Sequence, residues 1–288
     1  MRARTILVCC LAFLVSAVGE AAGATCLDST ASIVGTPGPD RLVGTAGRDV
    51  IAAGGGRDQI WGLDASDKIC AGPGADTIHA GENRALAELI RAGPGDDVVF
   101  GGQGQDTVTD GRGNDRVLTG RGPDFAIASS GEDTVSLGGG DDGAGDGLGN
   151  DEYRAGAGND TLIVFDGGRD AFFGGPGRDT AAWFRNTSGA LIDLAAGLIS
   201  GGNERGSLRS FEDAHGDAGP DRLIGNADSN RLRGDNGNDH IEGRGGDDVL
   251  KGNPADDFLD GGLGFDRLNG DGGMDTCIAA EVVADCEA

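Results

Sequence analysis

Lysine is nearly absent from this chain: Lys68 and Lys251 are the only two, and Lys plus Arg total 23 against 48 acidic residues, a formal net charge of -25. A surface this acidic repels phosphate, which makes nucleic acids and anionic membranes poor partners and cations good ones. Aromatic residues are scarce, with Phe 10, Trp 2 and Tyr 1, so no bulky aromatic core can form. The three histidines, His79, His215 and His240, are isolated. Without an HExxH the zinc-protease reading fails, and without a GxSxG there is no nucleophile elbow. There is no CxxC to support a zinc site. Long apolar runs are missing too, apart from Ile6 to Val18, which is shorter than the ~20 residues of a membrane-spanning helix. Arg2 and Arg4 precede that run and Ala22-Gly23-Ala24 follows it, the pattern of a signal peptide over 1–24, with no membrane insertion after its removal.

What the chain has in excess is glycine, 57 residues with no collagen-like three-residue period. The glycines belong to a nine-residue unit. AGPGDDVVF, GGQGQDTVT and DGRGNDRVL follow one another directly. Asp40, Asp49, Asp58, Asp67 and Asp76 lie nine apart, and the step resumes from Asp97 to Asp160. It slips by one at Asp170, continues at Asp179, and returns from Asp221 through Asn230 and Asp239 to Asp275. Glycine stands two residues before nearly every acid; Ala65, Asp228 and Ala255 are the exceptions, and the units around Ala65 and Asn230 are expected to bind weakly or not at all. An apolar residue stands two after most acids, as in Ile60, Ile78, Val99, Val108 and Leu250.

Glycine adopts positive φ without a Cβ clash, so a glycine at a fixed place in every unit marks a fixed tight turn. The residues after the acid are β-formers, one facing inward between two facing out. One unit cannot bury its apolar residue alone. Two units make an 18-residue coil with a short strand on each side, and coils stack. The predicted fold is therefore all-β: a parallel β-roll (β-solenoid) of stacked nonapeptide repeats, two short strands per 18-residue coil. Eleven coils at about 4.8 Å per strand would span roughly 50 Å. Stacking also lines carboxylates into columns that repel. A hard cation relieves the repulsion, and calcium accepts six to eight oxygen ligands in flexible geometry where magnesium demands a tighter octahedron.

GGQGQDTVT, AGAGNDTLI, GGPGRDTAA and GGLGFDRLN resemble the G-G-x-G-x-D-x-U-x nonapeptide of the RTX, or hemolysin-type, calcium-binding repeat proteins. The resemblance covers about 34–182 and 216–278. It implies multiple Ca²⁺ ions held between turns 18 residues apart, with acids paired as Asp58/Asp76, Asp97/Asp115, Asp106/Asp124, Asp142/Asp160, Asp239/Asp257, Asp248/Asp266 and Asp257/Asp275. Asp179 joins this ligand set, and backbone carbonyls such as those of Gly102 and Gly104 complete the shells. Ala92, Asp110 and Asp146 depart from the pattern by replacing the first glycine.

The expected organisation is a signal peptide (1–24), an N-terminal cap (25–33), a β-roll (34–182) with a small insertion at 80–91, a non-repeat insertion (183–215), a second β-roll segment (216–278) and a C-terminal cap (279–288). AGENRALAELIR, at 80–91, suggests one or two helical turns on the surface. The 183–215 segment reads as a longer hairpin or wider coil continuing the roll. Trp61 and Trp183 read as packing or surface residues, with nothing in sequence to pair them. Once Cys9 and Cys10 leave with the signal peptide, Cys26, Cys70, Cys277 and Cys286 remain. Three connectivities are possible; Cys26–Cys70 with Cys277–Cys286 is preferred because each pair staples one end. Paired acids such as Asp96-Asp97 recur on the repeat and read as metal ligands, not as a catalytic dyad, so no enzyme activity is expected. Residues flanking the core position (Arg41, Val50, Gln59, Lys68) form no threonine ladder, which disfavours an ice-binding face. Two functions remain: a secreted, extracellular calcium-binding scaffold that folds outside the cell, or an adhesion protein in which calcium stiffens a rod presenting 183–215.

Overall fold

The computed structural model describes residues 24–81, 87–165, 167–184 and 188–286. The segment 1–24 expected to be a signal peptide lies outside them except for Ala24. Helical turns are expected over 80–91, but residues 80–81 close the strand Thr77–Gly81 and residues 89–91 open the strand Leu89–Pro94, while 82–86 lie outside the described residues.

The described chain is all-β. It alternates between two long, predominantly parallel sheets, one of 15 strands and one of 16. Val98–Gln103 lies in the first, Thr107–Arg112 in the second, and Arg116–Arg121 returns to the first. Register follows the repeat: Val99 pairs with Val117, Val117 with Val135 and Val135 with Tyr153. On the other wall Val108 pairs with Ala126 and Ala126 with Ala144. In most strands the central apolar residue is buried between more exposed flanks, as in Thr107-Val108-Thr109. The core is the narrow space between the walls, filled by columns of Ile, Val, Leu and Ala. A second inward position, two residues further on, is small where the walls approach, as at Ala71, Ala80 and Ala92. It is Asp at Asp110 and Asp146, both buried.

The main path through the second sheet has 14 strands, more coils than the aspartate count predicts. The extra coils come from units led by glutamate and from the caps. At the N-terminal end Thr25–Cys26 pairs antiparallel with Ser29–Thr30, and the Cys26–Cys70 disulfide ties that hairpin to the wall. At the other end Cys277–Cys286 folds Val282–Ala284 back, parallel to Arg267–Gly272. Both expected disulfides are present.

Residues 183–215 change the topology on one wall only. Leu191–Asp193, Leu198–Gly201 and Glu204–Arg209 form an antiparallel meander. Its outer strands run parallel to Arg222–Ile224 and Ala171–Phe173. On the opposite wall Thr180–Trp183 passes directly to Asp213–His215. The first wall thus gains two strands that the second does not have. Ile192 and Ile199 carry the core column through the meander and are fully buried.

Trp61 is a half-exposed packing residue, and the structure supplies the partners that the sequence did not show: it stacks on His79, centroids 5.7 Å apart, and His79 stacks on Phe100 at 4.7 Å. These residues face outward at the same coil position, and Arg41 caps the ladder 4.4 Å from the Trp61 ring. The sequence hid the alignment because the 80–91 insertion makes one step 21 residues instead of 18.

Candidate metal centre

Each repeat aspartate closes the turn that leads into a strand, and its side chain points back along the stack. The first oxygen has a constant role. The amide of Asp58 donates to Asp76 Oδ1 at 2.7 Å, Asp97 to Asp115 at 2.7 Å, Asp106 to Asp124 at 2.8 Å and Asp142 to Asp160 at 2.8 Å. The C-terminal segment repeats this: Asp239 donates to Asp257, Asp248 to Asp266 and Asp257 to Asp275, at 2.8–2.9 Å. Every acid pair expected from the resemblance is therefore brought together, and the amide of Asp160 reaches Asp179 Oδ1 at 2.9 Å despite the slipped spacing.

The second oxygen divides the units into two kinds. In Asp40 and Asp49, Oδ2 accepts the amides of Thr36 (2.5 Å) and Thr45 (2.6 Å) and also their hydroxyls. In Asp221, Oδ2 accepts the amide of Asp217 at 2.9 Å. Asn230 behaves the same way, accepting from Asn226 at 2.7 Å and donating to the Glu212 carbonyl at 2.7 Å. Those corners satisfy themselves. In the units around Asp58, Asp76, Asp97, Asp106 and Asp124 the residue four before the acid is a glycine at positive φ, for example Gly102 at 113°. The left-handed turn removes that amide from the corner, and Oδ2 is left buried without a hydrogen-bond partner. Buried carboxylate oxygens are normally paired, so a row of unpaired ones is suited to holding a cation or a proton.

Carbonyls approach the same corners. A Cβ on Gly120 would sit against the carbonyl of Gly102, and one on Gly122 against the carbonyl of Gly104. At these two positions a side chain would meet the carbonyl of the coil before, and glycine lets the turns stack this closely. Stacked carboxylates together with turn carbonyls form an all-oxygen donor set, which suits Ca²⁺ and not a soft metal. The unit at Ala65 keeps the turn, with Leu63 and Ala65 at positive φ, and Asp67 Oδ2 is unpartnered like its neighbours.

Burial sets the electrostatics. Burial first, with stacked acids adding to it, raises the carboxyls of Asp97, Asp142, Asp179, Asp239 and Asp248 to about 7. Asp76, Asp115, Asp124 and Asp257 rise to about 6 for the same first reason. In each, the amide hydrogen bond from the coil before is the main opposing effect.

Sequence counting missed three acids because they are glutamates. Glu88 precedes Leu89–Pro94 in the column of Asp106, which accepts its amide at 3.2 Å. Glu212 accepts the Asp179 amide at 2.8 Å, and Glu281 that of Asp266 at 2.7 Å. The available signal was an apolar or small residue two positions on: Ile90, Ala214 and Val283. Among the described residues, two clusters draw three carboxylates together, with one oxygen of each within 4.8 Å of the others: Asp110–Asp115–Asp133 and Asp146–Asp170–Glu204. In the first, burial raises Asp110 to about 8, with Asp133 adding to the rise.

A two-walled parallel solenoid whose glycine corners present stacked carboxylates belongs to the class of calcium-binding β-rolls. The four-copy profile of the RTX calcium-binding nonapeptide repeat matches residues 34–69, 61–83, 86–117, 109–144, 146–181, 215–250 and 251–281. These segments cover well over half of the chain, which belongs to the RTX calcium-binding nonapeptide repeat family. No curated protein matches the chain.

Proposed function

We propose that this chain is a secreted, non-catalytic scaffold that folds when calcium fills its corners outside the cell. Asp58, Asp76, Asp97, Asp106, Asp115, Asp124, Asp142, Asp160, Asp179, Asp239, Asp248, Asp257, Asp266 and Asp275 are the carboxylate ligands, and carbonyls of the Gly102 and Gly104 type complete the shells. The observation that carries this reading is the row of buried Oδ2 atoms without hydrogen-bond partners at Asp58, Asp76, Asp97, Asp106 and Asp124, where a left-handed glycine opens the turn, against Asp49 and Asn230, where a threonine or asparagine amide closes it. Bound calcium supplies positive charge between carboxylates that otherwise resist being stacked. Two disulfides at the chain ends support an oxidising compartment. Calcium at extracellular, roughly millimolar levels saturates sites with ~10⁻⁴–10⁻³ M affinity. The continuity of 191–209 with the wall favours the scaffold over a rod presenting a free loop.

The test is a calcium titration of chelator-stripped protein at pH 7.5, followed by circular dichroism. The expected result is a cooperative gain of β signal, reversed by chelator. A spectrum that responds to neither would refute the reading.

A further inference from the structure

Asp146, Asp170 and Glu204 meet inside the fold where the meander joins the roll, and the corner motif does not account for this meeting. Asp146 takes the place of the first glycine of its unit and points inward, Asp170 is the slipped repeat acid, and Glu204 opens the strand Glu204–Arg209. Glu204 lies outside every segment matched by the repeat profile. Two of the three are anchored by backbone amides: Phe165 donates to Asp146 Oδ1 and Asp151 to Asp170 Oδ1, both at 2.6 Å. Glu204 differs. It is fully buried, no amide, hydroxyl or basic group donates to either carboxylate oxygen, and the polar group facing it is the Asp170 carboxylate. Its surroundings are Phe172 and Ile199, which crowd the neighbouring Gly206, and the two aspartates.

We infer that this cluster is a separate divalent-cation site, of the hard, oxygen-coordinated calcium class, which clamps the inserted meander to the roll. Oxygens within 4.8 Å of one another can share one ion, since ligands at about 2.4 Å on opposite sides of calcium stand about that far apart. Three carboxylates from three distant parts of the chain put up to three negative charges in one buried place, and the ion neutralises most of that charge. Burial, then Asp170 and Asp146, shift the Glu204 carboxyl upward, so the competing occupant is a proton shared within the cluster. The two occupants predict different ion counts.

The experiment counts ions bound to the full chain at saturating Ca²⁺, for wild type and Glu204→Gln, which keeps the side-chain volume and removes the charge. One ion fewer in the variant supports the site; equal counts in a folded variant overturn it. Should the variant fail to fold, long-wavelength anomalous diffraction from wild-type crystals grown in calcium decides. A peak between Asp146, Asp170 and Glu204 supports the site, and filled corners with no peak there overturn it. A peak there with vacant corners would instead sink the corner assignment and leave this one standing.

Discussion

Asp49 and Asp106 occupy the same place in the nonapeptide but not the same chemical situation. Thr45 closes the corner of Asp49 with an amide and a hydroxyl, whereas Gly102 turns its amide away from Asp106. Asp106→Asn is therefore expected to lower the number of bound calcium ions, and Asp49→Asn to leave it unchanged; equilibrium dialysis with ion counting checks both. Glycine is constrained for a second reason. Gly122 has φ 125° and faces the Gly104 carbonyl. Gly122→Ala is expected to cost at least about 1–3 kcal/mol from the backbone conformation alone, read by chemical denaturation in saturating calcium. The displaced carbonyl should weaken calcium binding in the same variant.

At the scale of the strand, stability comes from one inward residue per unit. Ile78 is fully buried between Ile60 and Val99 in its column. Ile78→Ala should cost about 2–5 kcal/mol, because a column two walls thick has little to collapse into the gap. Thr77→Ala, half-exposed on the same strand, should stay within about 0.5 kcal/mol. Urea melts of both variants with calcium present make the comparison. The meander obeys the same rule: its alternation places Glu204, Gly206 and Leu208 inward, so a carboxylate enters the core in a segment without a repeat.

For the whole molecule, the buried acids link metal, proton and fold. In the metal-free folded chain, burial holds Asp97, Asp142, Asp239 and Asp248 near 7, above their ordinary value of 3.8. The folded state then binds more protons than the unfolded state between about pH 4 and 7. This contribution to stability is complete below about pH 4 and is lost as pH rises through about 7. Metal-free protein should show its strongest β signal in mild acid and lose it toward pH 8, where added Ca²⁺ restores it. A pH series of circular dichroism spectra on metal-free protein checks the sign; a β signal that strengthens with pH would contradict the buried acidic columns.

The nine-residue phase of glycine, acid and apolar residue already determined the stacked two-walled roll, the 18-residue pairing of acids and the calcium class. Each rests on a local rule: left-handed turns favour glycine, strands alternate, and stacked carboxylates need a cation. The same rules concealed Glu88, Glu212 and Glu281, whose chemistry fits the column although their letter differs. Only the tertiary structure decided which corners open. That depends on where one backbone amide points, and Thr45 and Gly102 differ there by a turn of φ that the acid's own position does not reveal. It also decided the meeting of Asp146, Asp170 and Glu204, because that contact arises from how an antiparallel meander threads into a parallel wall.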